Sequence, residues 1–159
     1  MSEEKRPGRW KPLAGFIGST LAVGGASAFL TRSSMDIYDD IVKPTFAPPS
    51  WCFPVAWSVL YVGMSVAAWL VWREKKPGYK STTVLYYGQL AVNVAWPLIF
   101  FSLRAFGLGF IWLVLLWALI IMLMFRVFRV SRTGGWLLVP YLVWVTFAGA
   151  LNFMIARLN

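Results

Sequence analysis

Histidine is absent from this 159-residue chain, and cysteine occurs once, as Cys52. Without histidine there is no Ser-His-Asp or Cys-His nucleophile system, no His-ligated metal and no haem on an axial His. A lone cysteine forms no internal disulfide and says little about redox compartment. Charge is scarce too: 13% of residues are charged and 59% hydrophobic. A soluble domain is about half apolar and about a quarter charged, so too little charge remains to coat a water-facing surface. The length suits one domain of ordinary size and rarely two. Aromatic residues are plentiful at 18%, with ten tryptophans. That excludes disorder, a collagenous fibre, a coiled coil and a disulfide mini-protein.

The charges fall in clusters separated by gaps of one length. Lys11 to Arg32 leaves 20 uncharged residues, Lys80 to Arg104 leaves 23, Arg104 to Arg126 leaves 21 and Arg132 to Arg157 leaves 24. The gap from Lys43 to Arg73 is 29, but its start, 44–50, is a proline-rich loop. A helix crossing a hydrocarbon core of roughly 30 Å needs about 20 apolar residues. Five such gaps predict an all-α membrane protein, a single domain over 1–159. Its bundle of five transmembrane helices runs at about 13–31, 51–72, 81–103, 106–126 and 134–156, with a lid loop at 32–50. A β-barrel would alternate polar and apolar residues over about ten positions, and these runs are apolar all round. No internal repeat supports an inverted-repeat transporter. The first span starts basic like a signal peptide, but it is too long and lacks a cleavage site.

Orientation follows from lysine and arginine. The N-terminal tail (Lys5, Arg6, Arg9, Lys11), the second connection (Arg73, Lys75, Lys76, Lys80) and the fourth (Arg126, Arg129, Arg132) carry eleven cations; the other side has four. The N-terminus is therefore expected in the cytoplasm. The net charge of +9 is explained by this topology and by attraction to anionic headgroups; no nucleic-acid partner is required.

The spans carry distinct features. Ala14, Gly18, Ala22 and Ala26 recur every fourth residue in the first span, a small-residue stripe read as packing within the monomer ahead of a dimer face. The lid loop holds Asp36, Asp39, Asp40 and several prolines, so it should be stiff. The aspartates are read as solvating the loop and pairing with Lys43 or Arg32, not as a metal site. In the second span Trp57, Tyr61 and Ser65 share a face; in the third, Gln89, Asn93, Trp96 and Phe100, with a kink expected at Pro97; in the fifth, Trp144, Ala148 and Asn152, with Leu151 adjacent. The fourth span has no polar face and is read as lipid-facing or packing structure.

Amides at that depth need hydrogen-bond partners. They serve either as interhelical ties or as handles in a cavity. Trp51, Trp69, Trp72 and Trp136 lie at interfacial depth, whereas Trp57, Trp96 and Trp144 lie deeper. Deep indoles with convergent amides and a small residue describe either a plain core or a flat, mostly apolar pocket for a planar aromatic or sterol-like guest.

Three runs carry a likeness. The first is Tyr38, Lys43-Pro44, Pro48-Pro49, Trp51, Phe53-Pro54, Trp57 and Leu60-Tyr61. The second is Gln89-Leu90, Asn93, Trp96-Pro97 and Phe100-Phe101. The third is Pro140-Tyr141-Leu142, Trp144, Phe147-Ala148 and Leu151-Asn152. Together they resemble the TspO/translocator protein family, also called tryptophan-rich sensory proteins or peripheral benzodiazepine receptors, over about 13–157. The resemblance implies a five-helix bundle, usually a homodimer, with a pocket between the first, second, third and fifth helices under the lid. Implied ligands are tetrapyrroles such as protoporphyrin IX, isoquinoline carboxamides and benzodiazepines, and cholesterol in animal members. No cofactor is implied beyond porphyrin as ligand.

By motif position the implied ligand-binding residues are Phe53, Pro54, Trp57, Asn93, Trp96, Phe100, Trp144, Ala148 and Leu151. Trp57 and Trp144 match the tryptophans tied to light-dependent porphyrin breakdown. The function expected on this basis is a membrane tetrapyrrole sensor or carrier, with a porphyrin or lipid transporter and a membrane scaffold as alternatives. Ile37 replaces the usual Trp of the loop, so different packing is expected there; Phe153 replaces the Tyr of the animal cholesterol motif, so no steroidogenic role is expected. The C-terminal end resembles bacterial members, which points to a bacterial cell membrane, or to the mitochondrial outer membrane in a eukaryote.

Overall fold

A computed structural model describes residues 10–34 and 36–159. The cations Lys5, Arg6 and Arg9 lie outside these residues. Five helices are long and apolar enough to cross a membrane, as the charge-free gaps predict. They are α1 (Trp10–Thr31), α3 (Cys52–Glu74), α4 (Tyr79–Pro97), α5 (Phe106–Val130) and α6 (Arg132–Leu158); a short α2 (Ile37–Asp40) lies in the lid loop. Most ends extend past the expected limits, because flanking charged residues continue the helical hydrogen bonding before the chain turns. The chain is that of an integral multi-pass membrane protein.

The helices close a ring in the order α1, α3, α6, α5, α4 and back to α1. Interior side chains fill its centre: Met64, Ala67, Leu116, Ile120, Leu138 and Tyr141 are completely buried. The α5–α6 seam is the most extensive. Its turn is a single residue, Ser131, whose hydroxyl accepts from the Gly134 amide at 3.1 Å. Gly135 leaves room for the Phe128 ring, which lies where a Cβ would stand.

The expected kink at Pro97 takes a specific form. After the proline the backbone widens into a π turn over Leu98–Ser102, and Leu103 N–H reaches back to the Leu98 carbonyl at 3.0 Å. Proline supplies no amide to the preceding turn, and a π turn re-pairs the freed backbone groups. The wider turn buries Phe100 and Phe101 side by side, ring centroids 4.9 Å apart.

One expectation fails. The Ala14, Gly18, Ala22 and Ala26 stripe is exposed, and a side chain added at Gly18 would meet nothing within 4 Å. α1 instead buries Phe16, Thr20, Gly24, Ser27 and Thr31. The bundle presents polar groups to α1: Thr20 pairs with the Tyr86 hydroxyl, and Ser27 donates to the Val94 carbonyl at 3.1 Å. Hydroxyls satisfy those groups and methyls do not, so α1 turns its polar small residues inward and its alanines outward.

Candidate functional site

A cavity of about 290 Å³ lies between α1, α3 and α4. α1 contributes bare or small surface, Gly24, Gly25, Ser27, Ala28 and Thr31. α3 contributes Phe53, Pro54, Trp57, Ser58 and Tyr61, and α4 contributes Asn93, Trp96 and Pro97, with Phe101 from the π turn. Leu21, Gly25 and Ala28 on α1 and Pro54 and Ser58 on α3 are at once cavity-lining and exposed. The opening is therefore sideways, between α1 and α3, where the bilayer would lie.

A second, far smaller void of about 10 Å³ sits beneath the lid, against α6. Tyr38, Phe100, Ala148, Leu151 and Asn152 line it, and Phe53, Trp96 and Phe101 line both spaces. These three aromatics form a partition. Of the sequence-predicted residues, Phe53, Pro54, Trp57, Asn93 and Trp96 meet the larger cavity. Phe100, Ala148 and Leu151 meet only the small void. Trp144 lines neither; it stands behind Trp57, ring centroids 6.5 Å apart and nearly perpendicular, and behind Phe53 at 6.0 Å.

The deep amides are mostly committed to holding helices together. The Tyr61 hydroxyl donates to Asn93 Oδ1 at 3.0 Å, Asn93 Nδ2 to the Tyr141 hydroxyl at 2.8 Å, and that hydroxyl to Gln89 Oε1 at 2.7 Å. The Trp96 indole N–H donates to Asn152 Oδ1 at 3.0 Å, and Asn152 Nδ2 to the Phe106 carbonyl at 2.7 Å. Gly109 allows that approach, since a Cβ there would come within 2.9 Å of Asn152 Oδ1. Gln89 and Asn152 therefore act as interhelical ties, and Asn93 does so while one side of it faces the cavity.

Two indoles remain uncommitted. Trp57 makes no hydrogen bond among the described residues, and its ring stacks on Tyr61 at 5.6 Å. The Trp144 N–H is buried with no acceptor among the described residues. An unpaired buried donor costs about 1–3 kcal/mol and so marks a place where an acceptor is missing.

In the described part of the lid, side-chain contacts tie the loop to itself and to α3. Tyr38 is buried, donates to the Pro48 carbonyl at 2.8 Å and packs edge-on against Phe53 at 5.1 Å. Burial, with the Asp39 carboxylate beside it, pushes the Tyr38 phenol from 10.0 up to about 12, so it stays a donor at neutral pH. Lys43 donates to the Tyr38 carbonyl, closing α2, and stands 3.9 Å from the Asp39 carboxylate. Ile37, at the position where the resemblance has a Trp, is buried. Arg32 lies over the Phe29 ring at 3.9 Å instead of pairing with an aspartate. No group of three metal-ligating side chains occurs among the described residues.

The resemblance placed the first helix at the pocket, but sequence reasoning named none of its lining residues and missed Phe101; the fifth helix, α6, lines only the small void. The α1 wall's signal is the spacing Gly24, Ser27 and Thr31, which places small residues on one helical face. Phe101 needed the π turn, because a regular helix would direct it elsewhere.

The chain matches the TspO/MBR family over residues 16–158. It is 41% identical to "Tryptophan-rich protein TspO" of Chlorobaculum tepidum, covering 92% of this chain and 95% of that protein. It is 42% identical to "Protein CrtK" of Rhodobacter capsulatus, covering 77% and 78%. It is 34% identical to "Translocator protein" of Homo sapiens, covering 94% and 91%. The chain belongs to the TspO/MBR family.

Proposed function

We propose that this member of the TspO/MBR family binds a flat tetrapyrrole of the protoporphyrin IX type, taken up sideways from the bilayer into the α1–α3–α4 cavity. The observation that carries this reading is an aromatic-walled cavity lined by Trp57, which makes no hydrogen bond among the described residues, with the Trp144 indole N–H behind it, buried and unpaired among those residues. Stacking on Trp57 supplies affinity. A carboxylate or carbonyl on the guest gives the indole N–H groups the acceptors they lack. The cavity, at about 290 Å³, is at the lower limit of ordinary ligand sites. A whole tetrapyrrole therefore requires the Phe53–Trp96–Phe101 partition to swing and join the void beneath the lid. That movement brings Phe100, Ala148, Leu151 and Trp144 into contact with the guest. An isoquinoline carboxamide or benzodiazepine, being smaller, fits with less movement.

Light-dependent loss of the guest needs no acid or base. The Trp57 indole gives one electron to the photoexcited ring, dioxygen takes that electron as superoxide, and the indole regains one from the guest. The guest is the net reductant, and Trp144, next in line, can share the hole. Illumination of purified protein with protoporphyrin IX in air tests this. Trp57→Phe should slow porphyrin loss at least tenfold at equal occupancy, and Trp144→Phe should slow it less. Unchanged loss in both variants would remove the photochemical role while leaving binding intact. Quenching of tryptophan fluorescence by added porphyrin reports the binding itself, and its absence would sink the whole reading.

A further inference from the structure

The end of the bundle away from the lid carries a feature that tetrapyrrole binding does not use. The α3–α4 connection and the α5–α6 turn are tied together there. Lys76 Nζ donates to the Val130 carbonyl at 3.4 Å, and an Arg126 guanidinium N–H donates to the Ser81 hydroxyl at 3.4 Å. The single-residue turn at Ser131 and the Phe128–Gly135 contact make a rigid corner. Arg126 and Arg129 stand on the last turns of α5 and Arg132 on the first of α6; Lys76 reaches this corner through the Val130 carbonyl, and Lys80 adjoins Ser81, which Arg126 bonds.

Little opposes these five cations. The acidic side chain at this end among the described residues is Glu74, and Arg73 engages it at 3.2 Å. The neighbouring tryptophans set the depth. Arg73 lies over Trp69 at 4.9 Å and Lys75 over Trp72 at 5.2 Å, with indoles where a headgroup region belongs. Apolar surface continues from the corner toward the hydrocarbon: Phe125 is 63% exposed and shares a face of α5 with Arg129, one turn away.

We propose that this corner binds one anionic phospholipid, its phosphate held by Lys80, Arg126, Arg129 and Arg132 and its acyl chain lying along Phe125. Guanidinium groups suit phosphate because their N–H groups pair with two oxygens at once. A set of cations that outnumbers the acidic side chains among the described residues, on a frame tied by hydrogen bonds, favours a single resident lipid over a diffuse ion cloud. The exposed phenyl ring below the cations favours a lipid over a free phosphate, which would leave that ring unused.

Native mass spectrometry of the full chain with phosphatidylglycerol or phosphatidylcholine tests this. Wild-type protein should retain one phosphatidylglycerol and hold it at least tenfold more tightly than phosphatidylcholine. Each cation near such a surface contributes about fivefold, so Arg126→Gln with Arg129→Gln should weaken retention about 25-fold. Arg126→Lys with Arg129→Lys should restore most of it. Arg104→Gln with Arg157→Gln, at the opposite end, should change nothing. Equal retention of the two lipids, unchanged binding in the double Gln variant, or an equal loss in the opposite-end control would each overturn the site. Displacement of the lipid by millimolar inorganic phosphate would overturn the lipid assignment in favour of a soluble anion. Helical circular dichroism of each variant separates lost binding from lost folding.

Discussion

α3 and α4 form a wall with two unlike sides. Toward α6 the buried amides are paired, with Gln89, Asn93 and Tyr141 in one chain of hydrogen bonds and Trp96 and Asn152 in another, and among the described residues the Trp144 indole N–H is the buried donor left over. Toward α1, glycine and small hydroxyl residues line a cavity with Trp57 and Tyr61, the Tyr61 ring lying close against Gly24. In hydrocarbon a polar group without a partner is costly. Where partners are complete, polar residues therefore hold the bundle together. Where backbone lies bare beside an unpaired indole, the protein has kept room for something else.

The sharpest way to break this contrast is on the α6 side. Tyr141→Phe keeps the ring and the volume but leaves Asn93 Nδ2 and Gln89 Oε1 buried without Tyr141 as partner. The expected loss is about 2 kcal/mol, above the ~0.6 kcal/mol typical of one interhelical bond in a membrane, because two amide groups are orphaned. Unfolding in mixed micelles measures it. Porphyrin affinity per folded molecule should hold, because Tyr141 does not line the cavity. A large affinity loss with stability intact would reverse the roles of the two sides.

The α1 side is tested by a matched pair of glycines. At Gly24 an added Cβ would overlap the Tyr61 ring, whereas at Gly18 it meets nothing within 4 Å. Gly24→Ala should displace Tyr61, loosen its bond to Asn93 and weaken porphyrin binding about tenfold, equivalent to about 1.4 kcal/mol. Gly18→Ala should leave binding alone and stabilise the helix by up to ~1 kcal/mol. Fluorescence titration of the two variants side by side gives the answer.

The five spans were legible because charge spacing reports helix length directly, and the lid because proline restricts its neighbours. The deep tryptophans and amides were legible as a group, but not their division of labour. Periodicity places Gln89, Asn93 and Trp96 on one face of α4, yet which of them meets α6 and which meets α1 depends on how the helix is rotated in the ring. The inward face of α1 was misread for a related reason: alanines and glycines at every fourth position look like a contact surface. The competing set of Thr20, Gly24, Ser27 and Thr31 wins because its hydroxyls answer polar groups on α4. The partition depends on a π turn that residue spacing cannot show.

The smallest expected effect lies at the lid and separates end-on from sideways passage. The Asn159 amide clasps the backbone of Val42 in both directions: its Oδ1 accepts from the Val42 N–H at 3.1 Å, and its Nδ2 donates to the Val42 carbonyl at 3.0 Å. The clasp fixes the stretch after α2, and α2 carries Tyr38, whose ring braces Phe53 in the partition. Both bonds are exposed, so together they contribute only about 1 kcal/mol. Asn159→Ala should therefore speed porphyrin dissociation about fivefold with little change in unfolding, since the partition that must swing has lost part of its brace. Stopped-flow recovery of tryptophan fluorescence reads that rate. An unchanged rate would mean that the lid does not brace the partition and that the guest leaves through the α1–α3 gap without help from it.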